Sequence, residues 1–400
     1  MNLVSAEDIA VAHEALRGVV RQTPVEQARV LEPAAGGPVY LKCENLQRTG
    51  SFKVRGAYVR LHRLSVEERA RGVVAASAGN HAQGVALAAS LLGIESTVFM
   101  PERAPLPKLA ATKGYGAEVH LRGAVLEETL AAAMEFAERT GAVFIHPFDH
   151  PDIIAGQGTV GREILDQVPD VGTVLVATGG GGLLGGVAAA VKAINPEVQV
   201  VGVQAERAAA FPPSLALGAP AVASELQTMA DGIAVGKPGP VSYAHVAGLV
   251  DEVVTVSEES LSRAVLLCME RRKLVVEPAG AAAVAALLEG SAVLRPPVVA
   301  VLSGGNVDPL LLLQIIQHGM TAAGRYLALR LRIPDRPGSL AALVGKVGEL
   351  GANVLDVEHS RISGALALGE VDVSLNLETR GPEHCAQLTE MLRAANYTIL

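Results

Sequence analysis

A lysine inside an apolar, glycine-containing segment is the first residue of this sequence that could do chemistry. Lys53 follows Ser51 and Phe52 in residues 49–57, TGSFKVRGA. An amine that is withdrawn from water loses its proton more readily, and the neutral amine can form a Schiff base with a carbonyl. The segment therefore indicates either a nucleophilic lysine in a pocket or a lysine whose ammonium group reaches the surface.

The turn Ser77-Ala78-Gly79-Asn80-His81 lies between a predicted apolar strand and a predicted helix. Free N–H groups at the start of a helix attract an anion such as a carboxylate. Serine and asparagine are also ordinary helix-capping residues, so this turn alone is equally consistent with a structural role.

Four consecutive glycines, Gly179 to Gly182, precede Leu183 at a second junction between a strand and a helix. Such a run costs backbone entropy, but it lets several N–H groups approach one anion closely. It has neither the Gly-Lys-Ser/Thr ending of a nucleotide-triphosphate loop nor the spaced glycines of a dinucleotide site. The run therefore predicts a phosphate that is bound by the backbone alone.

A third junction, Ser303-Gly304-Gly305-Asn306, carries a hydroxyl at the end of a predicted strand. Together with Lys53, the glycine run and Asn80, it suits pyridoxal phosphate. That cofactor has an aldehyde for the lysine, a phosphate for the glycines, a ring oxygen for the asparagine and a ring nitrogen for the serine.

These junctions belong to a long alternation of short apolar strands with helices, which extends from a strand at 39–42 to a strand at 297–302. The alternation predicts βαβ units and a parallel sheet covered by helices on both faces. Ligands bind such sheets at the carboxyl ends of the strands, where all three turns fall. Among the later helices, the pattern predicts one over 260–271.

A different pattern begins after residues 319–324. Apolar residues alternate with Ala328, Arg330 and Arg332 over 327–333, as in a half-exposed strand. A helix at 339–350, strands at 354–360 and 370–377, a helix at 384–394 and a closing strand follow. This β-α-β-β-α-β order is typical of a ferredoxin-like domain.

The composition excludes several classes of protein. Half of the 400 residues are hydrophobic and 18% are charged, so the chain can bury a large core, and its length favours two or three domains. A net charge of −8 without a basic cluster argues against nucleic acid as a partner. Three distant cysteines, no signal peptide and no membrane span predict a cytoplasmic protein.

The motifs together resemble those of the threonine dehydratases (threonine ammonia-lyases), in the tryptophan-synthase-β-like, fold type II group of pyridoxal-phosphate enzymes. The matching segments are residues 50–57, 76–84, 179–183 and 303–306. The C-terminal region, with its segments 335–340 and 351–354, resembles an ACT regulatory domain.

This resemblance implies an α/β fold with two parts. Residues 1–320 would form a two-subdomain, parallel-sheet catalytic domain, with the small subdomain at roughly 50–150. Residues 325–400 would form the ferredoxin-like βαββαβ ACT domain.

The resemblance also implies a role for each motif residue. Lys53 would hold the cofactor covalently and act as the general base. Phe52 would line the ring pocket, Asn80 would bind the ring hydroxyl and Ser303 would face the ring nitrogen. Two further groups complete the prediction: Gly179, Gly180, Gly181, Gly182 and Leu183 for the phosphate, and Ser77, Gly79, Asn80 and His81 for the substrate carboxylate.

The implied reaction is β-elimination of L-threonine to 2-oxobutanoate and ammonia, with L-serine giving pyruvate more weakly. A serine dehydratase, a β-replacement enzyme and a non-catalytic amino-acid sensor are the alternatives. Ala78 stands where related serine racemases carry a proton-transferring serine, which favours elimination over racemisation. Gln204, Ala208 and Ala210 fall at the cation-binding positions of those relatives and make a poor site for a hard cation, so no metal is predicted.

The ACT resemblance implies an amino-acid effector and a homodimer or homotetramer. Asp335, Gly338 and Asn353 are the candidate regulatory residues, and isoleucine or valine is a candidate effector. A domain that mediates only assembly is the alternative. Glu277, which lies at a strand–helix junction, is either an active-site carboxylate or a helix cap.

Overall fold

The computed structural model of the chain describes residues 2–361 and 366–400. They form two compact units, Met1–Leu312 and Leu313–Leu400. No helix in the described part of the chain is long and apolar enough to cross a membrane.

Helices and strands alternate along the first unit, and a shorter set of both makes up the second. The strands are β1 (Val25–Gln27), β2 (Val39–Lys42), β3 (Val73–Ala76), β4 (Ser96–Met100), β5 (Glu118–Leu121), β6 (Val143–Phe144), β7 (Thr173–Ala177), β8 (Gln199–Ala205), β9 (Glu252–Val256), β10 (Val298–Val301), β11 (Tyr326–Pro334), β12 (Asn353–Ser360), β13 (Glu370–Glu378) and β14 (Thr398–Ile399). The helices are α1 (Ala6–Ala15), α2 (Glu32–Ala35), α3 (Lys53–His62), α4 (Val66–Ala70), α5 (Asn80–Leu92), α6 (Leu106–Gly114), α7 (Leu126–Thr140), α8 (Pro151–Gln167), α9 (Gly182–Ile194), α10 (Phe211–Leu217), α11 (Pro240–Leu249), α12 (Glu258–Leu267), α13 (Pro278–Glu289), α14 (Pro309–Ala322), α15 (Ser339–Glu349) and α16 (Pro382–Ala394).

Two parallel sheets organise the first unit, as the alternation of strands and helices predicts. The larger has the order β1-β2-β10-β7-β8-β9, and all neighbours are parallel except the edge strand β1. The smaller has the order β5-β4-β3-β6 and is wholly parallel. Every residue of β3, β7 and β10 is buried, which is typical of parallel strands covered on both faces.

The second unit is an antiparallel sheet in the order β12-β13-β11-β14, in the chain order β-α-β-β-α-β. The ferredoxin-like prediction is therefore confirmed. Leu329, Leu331 and Ile333 of β11 are buried, while Arg330 and Arg332 on the other face bind Asp372 of β13 at 2.8 and 3.0 Å. The alternation seen in the sequence thus marks the two faces of one strand.

One predicted helix ends earlier than the sequence pattern suggests. The segment predicted as a helix over 260–271 is an α-helix over Glu258–Leu267, followed by a π-helical turn at Cys268–Arg272. Lys273 then adopts a left-handed conformation with φ 60°. Hydrophobic periodicity does not distinguish a π turn from the last turn of an α-helix, which explains the error.

Small residues let the helices of the first unit pack unusually close. A Cβ atom added to Gly156 of α8 would lie 2.6 Å from the Cα of Gly56 in α3. A Cβ atom added to Gly158 of α8 would lie 3.0 Å from the carbonyl oxygen of Gly186 in α9. Helix α3, which begins at Lys53, therefore lies against α8 with almost no side chain between the two backbones.

Four charged side chains are buried together where β2, α3 and α8 meet. Arg55 donates through Nε and Nη2 to the two oxygens of Glu44, both at 2.8 Å, and through Nη1 to Glu163 at 2.7 Å. Lys42 donates to the other oxygen of Glu163 at 2.5 Å. We call this set the Arg55 network.

The charges of the Arg55 network balance one another. Arg55, Lys42 and Glu44 are fully buried, and Glu163 is 3% exposed. Burial alone would raise the pKa of Glu44, but the guanidinium of Arg55 outweighs it and the pKa falls below its usual value. The Glu44 carboxylate therefore stays ionised, and the network binds three elements of the chain together.

Replacing Arg55 should destabilise the fold strongly. Arg55→Met leaves two buried carboxylates with one ammonium between them, so we expect a loss of about 3–5 kcal/mol in the free energy of unfolding. Denaturant unfolding followed by circular dichroism measures the loss. Arg17→Ala is the matched control, because the Arg17–Glu14 pair is exposed and its removal should cost less than about 1 kcal/mol. Equal stability of the two variants would contradict a structural role for the network.

Candidate active site

One cavity collects all the predicted catalytic, cofactor and substrate residues. It encloses about 1100 Å³ counted to its open mouth and lies at the carboxyl ends of β3, β7 and β10. The predicted residues that line it are Phe52, Lys53, Ser77, Gly79, Asn80, His81, Gly179, Gly180, Gly181, Gly182, Leu183 and Ser303. Segments far apart in sequence therefore meet at one site between the two parallel sheets.

Lys53 is the first residue of α3, and its amine faces this cavity. Its Nζ donates a hydrogen bond to the carbonyl oxygen of Pro147 at 3.0 Å and lies 5.3 Å from the centre of the Phe52 ring. The surrounding protein removes the amine from bulk water and lowers the pKa of Lys53 to about 8, against the opposing pull of the Glu277 carboxylate. The amine therefore loses its proton much more readily than a lysine in water, which favours the nucleophilic form.

The main chain fixes the lysine segment to the Ser303 turn. Ser51 and Gly304 form an isolated β-bridge, and the Phe52 amide donates to the Ser303 carbonyl oxygen at 3.3 Å. The Gly305 amide donates to the Gly50 carbonyl oxygen at 2.8 Å. Ser303 is 4% exposed and lines the same cavity as Lys53.

The glycine run lies at the start of α9 and has no room for side chains. A Cβ atom on Gly180 would enter the Phe148 ring, and one on Gly182 would lie 2.8 Å from the Phe148 carbonyl oxygen. Gly181 has φ +91°, and its Cβ would lie 2.5 Å from the Phe211 ring. The loop is therefore packed from behind, and its N–H groups at the helix N-terminus face a space suited to an anion.

These residues fit pyridoxal phosphate. The backbone groups of Gly179 to Leu183 would hold the phosphate, and the nearby Lys53 amine would hold the aldehyde carbon. The observation that supports the fit is a backbone that lines the cavity and is packed so closely against Phe148 and Phe211 that it has no room for side chains.

Asn80 is held between two polar side chains. Its Nδ2 donates to Glu277 Oε1 at 2.5 Å, and its Oδ1 accepts from Asn306 Nδ2 at 2.8 Å. Asn306 also donates to the Thr49 carbonyl oxygen at 2.6 Å. These contacts fix the orientation of the Asn80 amide and leave its second Nδ2 hydrogen for a ligand oxygen.

Glu277 is a cavity residue, which resolves the choice that the sequence leaves open. Its side chain makes no capping hydrogen bond to α13 but is 2% exposed and lines the cavity. Burial and, to a smaller extent, the nearby carboxylate of Asp231 raise the pKa of Glu277 to about 7. Glu277 can therefore gain or lose a proton near neutral pH.

The Ser77 and His81 side chains of the Ser77–His81 turn make hydrogen bonds within the protein. The Gly79 amide is bonded to Ser77 Oγ at 3.1 Å, and the His81 imidazole donates through Nε2 to the Ile145 carbonyl oxygen at 2.8 Å. Burial, together with the Lys53 charge, lowers the pKa of His81 to about 3. The imidazole is thus neutral and turned away, so His81 offers a carboxylate no charged side chain.

Sequence analysis missed several residues that line the cavity. Pro147 and Phe148 come from the loop after β6, and Lys108 and Asp231 come from α6 and a short 3-10 turn. The loop after β6 could have been found, because it follows the carboxyl end of a parallel strand. Lys108 and Asp231 have no local signal, because only the fold brings them together.

Gln204 is one of the three residues that fall at the cation-binding positions of the related serine racemases, and its side chain binds the main chain. The Gln204 side chain accepts a hydrogen bond from the Phe211 amide at 2.9 Å. Within residues 2–361 and 366–400, no group of three or more His, Cys, Asp or Glu side chains is placed to hold a metal ion.

The candidate regulatory residues do not meet within the second unit. Asp335 follows β11 and binds Arg361 at 3.2 Å, and Gly338 precedes α15 with φ +88°. Asn353 begins β12 and donates to Glu378 at 3.2 Å, at the opposite end of the sheet. The strand register separates the two ends by roughly 25 Å, so one small effector cannot touch both groups of the same chain.

The fold and the site together define a class of enzyme: two parallel sheets with a lysine amine and a glycine-rich helix N-terminus at the carboxyl ends of their strands. In agreement, residues 16–304 match the family described as pyridoxal-phosphate dependent enzyme. The chain belongs to this family.

Relatives with named activities resemble the chain closely. The L-threonine ammonia-lyase of Thermotoga maritima is 47% identical over 397 residues, which are 99% of each chain. Among solved structures, a threonine deaminase from T.th. is 42% identical with a TM-score of 0.72, over 76% of this chain and 99% of that one. Maize serine racemase is 36% identical with a TM-score of 0.74, over 78% and 97%.

An alanine in the glycine run should weaken cofactor binding. Gly180→Ala places a methyl group in the Phe148 ring, and the resulting shift of the loop should raise the dissociation constant for pyridoxal phosphate roughly 10- to 100-fold. Absorbance titration of the cofactor-free protein measures it. Gly114→Ala, at a helix position with open space around it, is the control and should bind normally. Normal binding by Gly180→Ala would show that the cradle does not hold the phosphate.

Proposed function

We propose that the protein is a threonine ammonia-lyase, which converts L-threonine to 2-oxobutanoate and ammonia and L-serine, more weakly, to pyruvate. The observation that carries this proposal is the Lys53 amine in one cavity with the glycine run and the Ser77–His81 turn. The relative named L-threonine ammonia-lyase, 47% identical over 99% of both chains, supports threonine as the substrate.

The cofactor and the protein have separate tasks in this reaction. Bound in the cradle, pyridoxal phosphate supplies an aldehyde for amines and a conjugated ring that stabilises the electron pair left when the α-proton departs. Lys53 would hold the cofactor and, once the substrate amine has taken its place, would accept the α-proton at Nζ. A pKa near 8 suits this task, because the amine is readily neutral.

The other cavity residues orient the reactants. The amide groups of the Ser77–His81 turn bind the substrate carboxylate at the N-terminus of α5. Ser303 would offer the ring nitrogen a neutral hydroxyl rather than a carboxylate, and a hydroxyl would not hold the ring protonated. This moderates electron withdrawal and favours elimination over amino-group transfer.

Racemisation is the second function to consider, because a serine racemase is among the structural neighbours. Ala78 lines the cavity on the Ser77–His81 turn, and its methyl group cannot exchange a proton. Because Lys53 would remove a proton and Ala78 cannot return one, elimination is the outcome that these side chains favour.

We also propose that residues 1–320 are the catalytic domain and residues 325–400 a regulatory ACT domain in a cytoplasmic homodimer or homotetramer. The βαββαβ order of the second unit supports this. Because Asp335 and Gly338 lie at one end of the sheet and Asn353 at the other, an effector site using both would combine residues of two copies. Edge strand β12 exposes Leu355 and Val357, which suits contact with a second copy.

Lyase activity should depend on Lys53. We expect purified enzyme with bound cofactor to release 2-oxobutanoate from L-threonine faster than pyruvate from L-serine, and Lys53→Ala to lose at least about 100-fold in kcat because the general base is gone. Coupled assays with threonine, serine and cysteine measure this. Faster turnover of serine would favour a serine dehydratase, and no turnover of any substrate a non-catalytic sensor.

Removing the second unit should separate regulation from catalysis. Isoleucine or valine should change the rate of the full-length enzyme, and deletion of residues 325–400 should preserve catalysis while abolishing that response, because the effector site is lost. Rate measurements against effector concentration test this, with circular dichroism as the control for folding. An unchanged isoleucine response after deletion would refute the regulatory assignment.

A further inference from the structure

Lys108 is a second buried ammonium group in the active-site cavity, and the mechanism above does not use it. It projects from α6, is 8% exposed and lines the same cavity as Lys53. Its Nζ donates to Asp231 Oδ2 at 2.8 Å. Burying an ammonium group costs free energy unless a partner compensates its charge, so the surroundings of Lys108 require a physical explanation.

The Lys108 side chain lies directly against the turn that binds the carboxylate. A Cβ atom added to Gly79 would lie 3.3 Å from Lys108 Nζ and 3.2 Å from its Cδ. The ammonium group therefore lies beside the N-terminus of α5, where the backbone N–H groups of the turn already attract negative charge. The N-terminus of α5 and the Lys108 ammonium group therefore both create a positive potential beside Gly79.

The partner of Lys108 is held much less firmly than Lys108 itself. The Asp231 side chain is 50% exposed, whereas that of Lys108 is 9% exposed. Asp231 can therefore turn into water at little cost, while the ammonium remains in the cavity. Asp231 belongs to the 3-10 turn Asp231–Ile233, so the ion pair joins that turn to α6 across the cavity.

Glu277 is the other acid close to this pair. Its pKa reflects both Asp231, which raises it, and Lys108, which lowers it. Glu277 is already hydrogen-bonded to Asn80. The carboxylate that binds Lys108 is that of Asp231 instead, and an incoming carboxylate could replace it.

We propose that Lys108 is a substrate-binding residue that exchanges Asp231 for the α-carboxylate of the amino-acid substrate. This rests on the proposed function, because it assumes that an amino acid enters with its carboxylate on the Ser77–His81 turn. In the free enzyme Asp231 pairs with the Lys108 ammonium group, and it competes with the substrate carboxylate for that group. Lys108 thereby selects ligands that carry a carboxylate beside the amine.

Two matched ligands test this on the enzyme with its cofactor bound. L-alanine cannot undergo β-elimination of a hydroxyl, and isopropylamine is the same amine with a methyl group in place of the carboxylate. Binding of either is followed by the absorbance change of the cofactor, which does not depend on turnover. In Lys108→Met we expect the dissociation constant for L-alanine to rise roughly 10- to 100-fold and that for isopropylamine to stay within about twofold.

Variants with the charge restored or the partner removed sharpen the test. Lys108→Arg should recover most of the L-alanine affinity, because it keeps the charge. Asp231→Asn should bind L-alanine more tightly than the wild-type enzyme, because the competing carboxylate is gone, and isopropylamine equally well.

Three results would overturn the proposal. Equal weakening of both ligands in Lys108→Met would indicate a structural role, as would weaker L-alanine binding in Asp231→Asn. Failure of the wild-type enzyme to prefer L-alanine over isopropylamine would remove its basis. If the expected ligand pattern appears but threonine is not converted, the Lys108 inference stands and the proposed lyase function fails.

Discussion

The Arg55 network is the interaction on which the placement of Lys53 depends. Arg55 lies two residues after Lys53 on α3, and its guanidinium joins that helix to Glu44 after β2 and to Glu163 on α8. Four buried charges of balanced sign leave few alternative arrangements, because displacing one element would leave a charge unpaired. The start of α3, and with it the Lys53 amine, is thereby fixed by charges that take no part in the chemistry.

The Ser303 turn completes that placement through the main chain. It forms a bridge to Ser51 and a hydrogen bond to the Phe52 amide, while Asn306 orients Asn80. Three residues are expected to contact the cofactor: Lys53 at its aldehyde carbon, Asn80 at its ring oxygen and Ser303 at its ring nitrogen. Direct hydrogen bonds therefore connect the segments that carry these residues. A shift in any of these turns would move the others, which is why the site requires glycines where the chains cross closely.

The sequence predicts the parts of the site that have a local physical cause. Glycine runs, a lysine in an apolar segment and polar residues at strand ends signal their roles locally, and parallel topology brings them to one edge. Lys108 and Asp231 carry no such signal, because an ordinary helix lysine and a loop aspartate become active-site residues only through tertiary contact. The same reason explains why sequence alone could not choose between the two roles of Glu277 or foresee that the His81 imidazole turns to Ile145.

The proposed function divides the charges of the cavity between separate tasks. The glycine run and the start of α9 would neutralise a phosphate with backbone dipoles, so that no basic side chain is needed there. Lys53 and Lys108 would then serve other tasks, one as the base and one beside the Ser77–His81 turn. A lysine paired with the phosphate would keep its proton, whereas the Lys53 amine, whose hydrogen-bond partner is the neutral carbonyl of Pro147, can give its proton up. Backbone recognition of the phosphate would thus leave Lys53 able to act as a base.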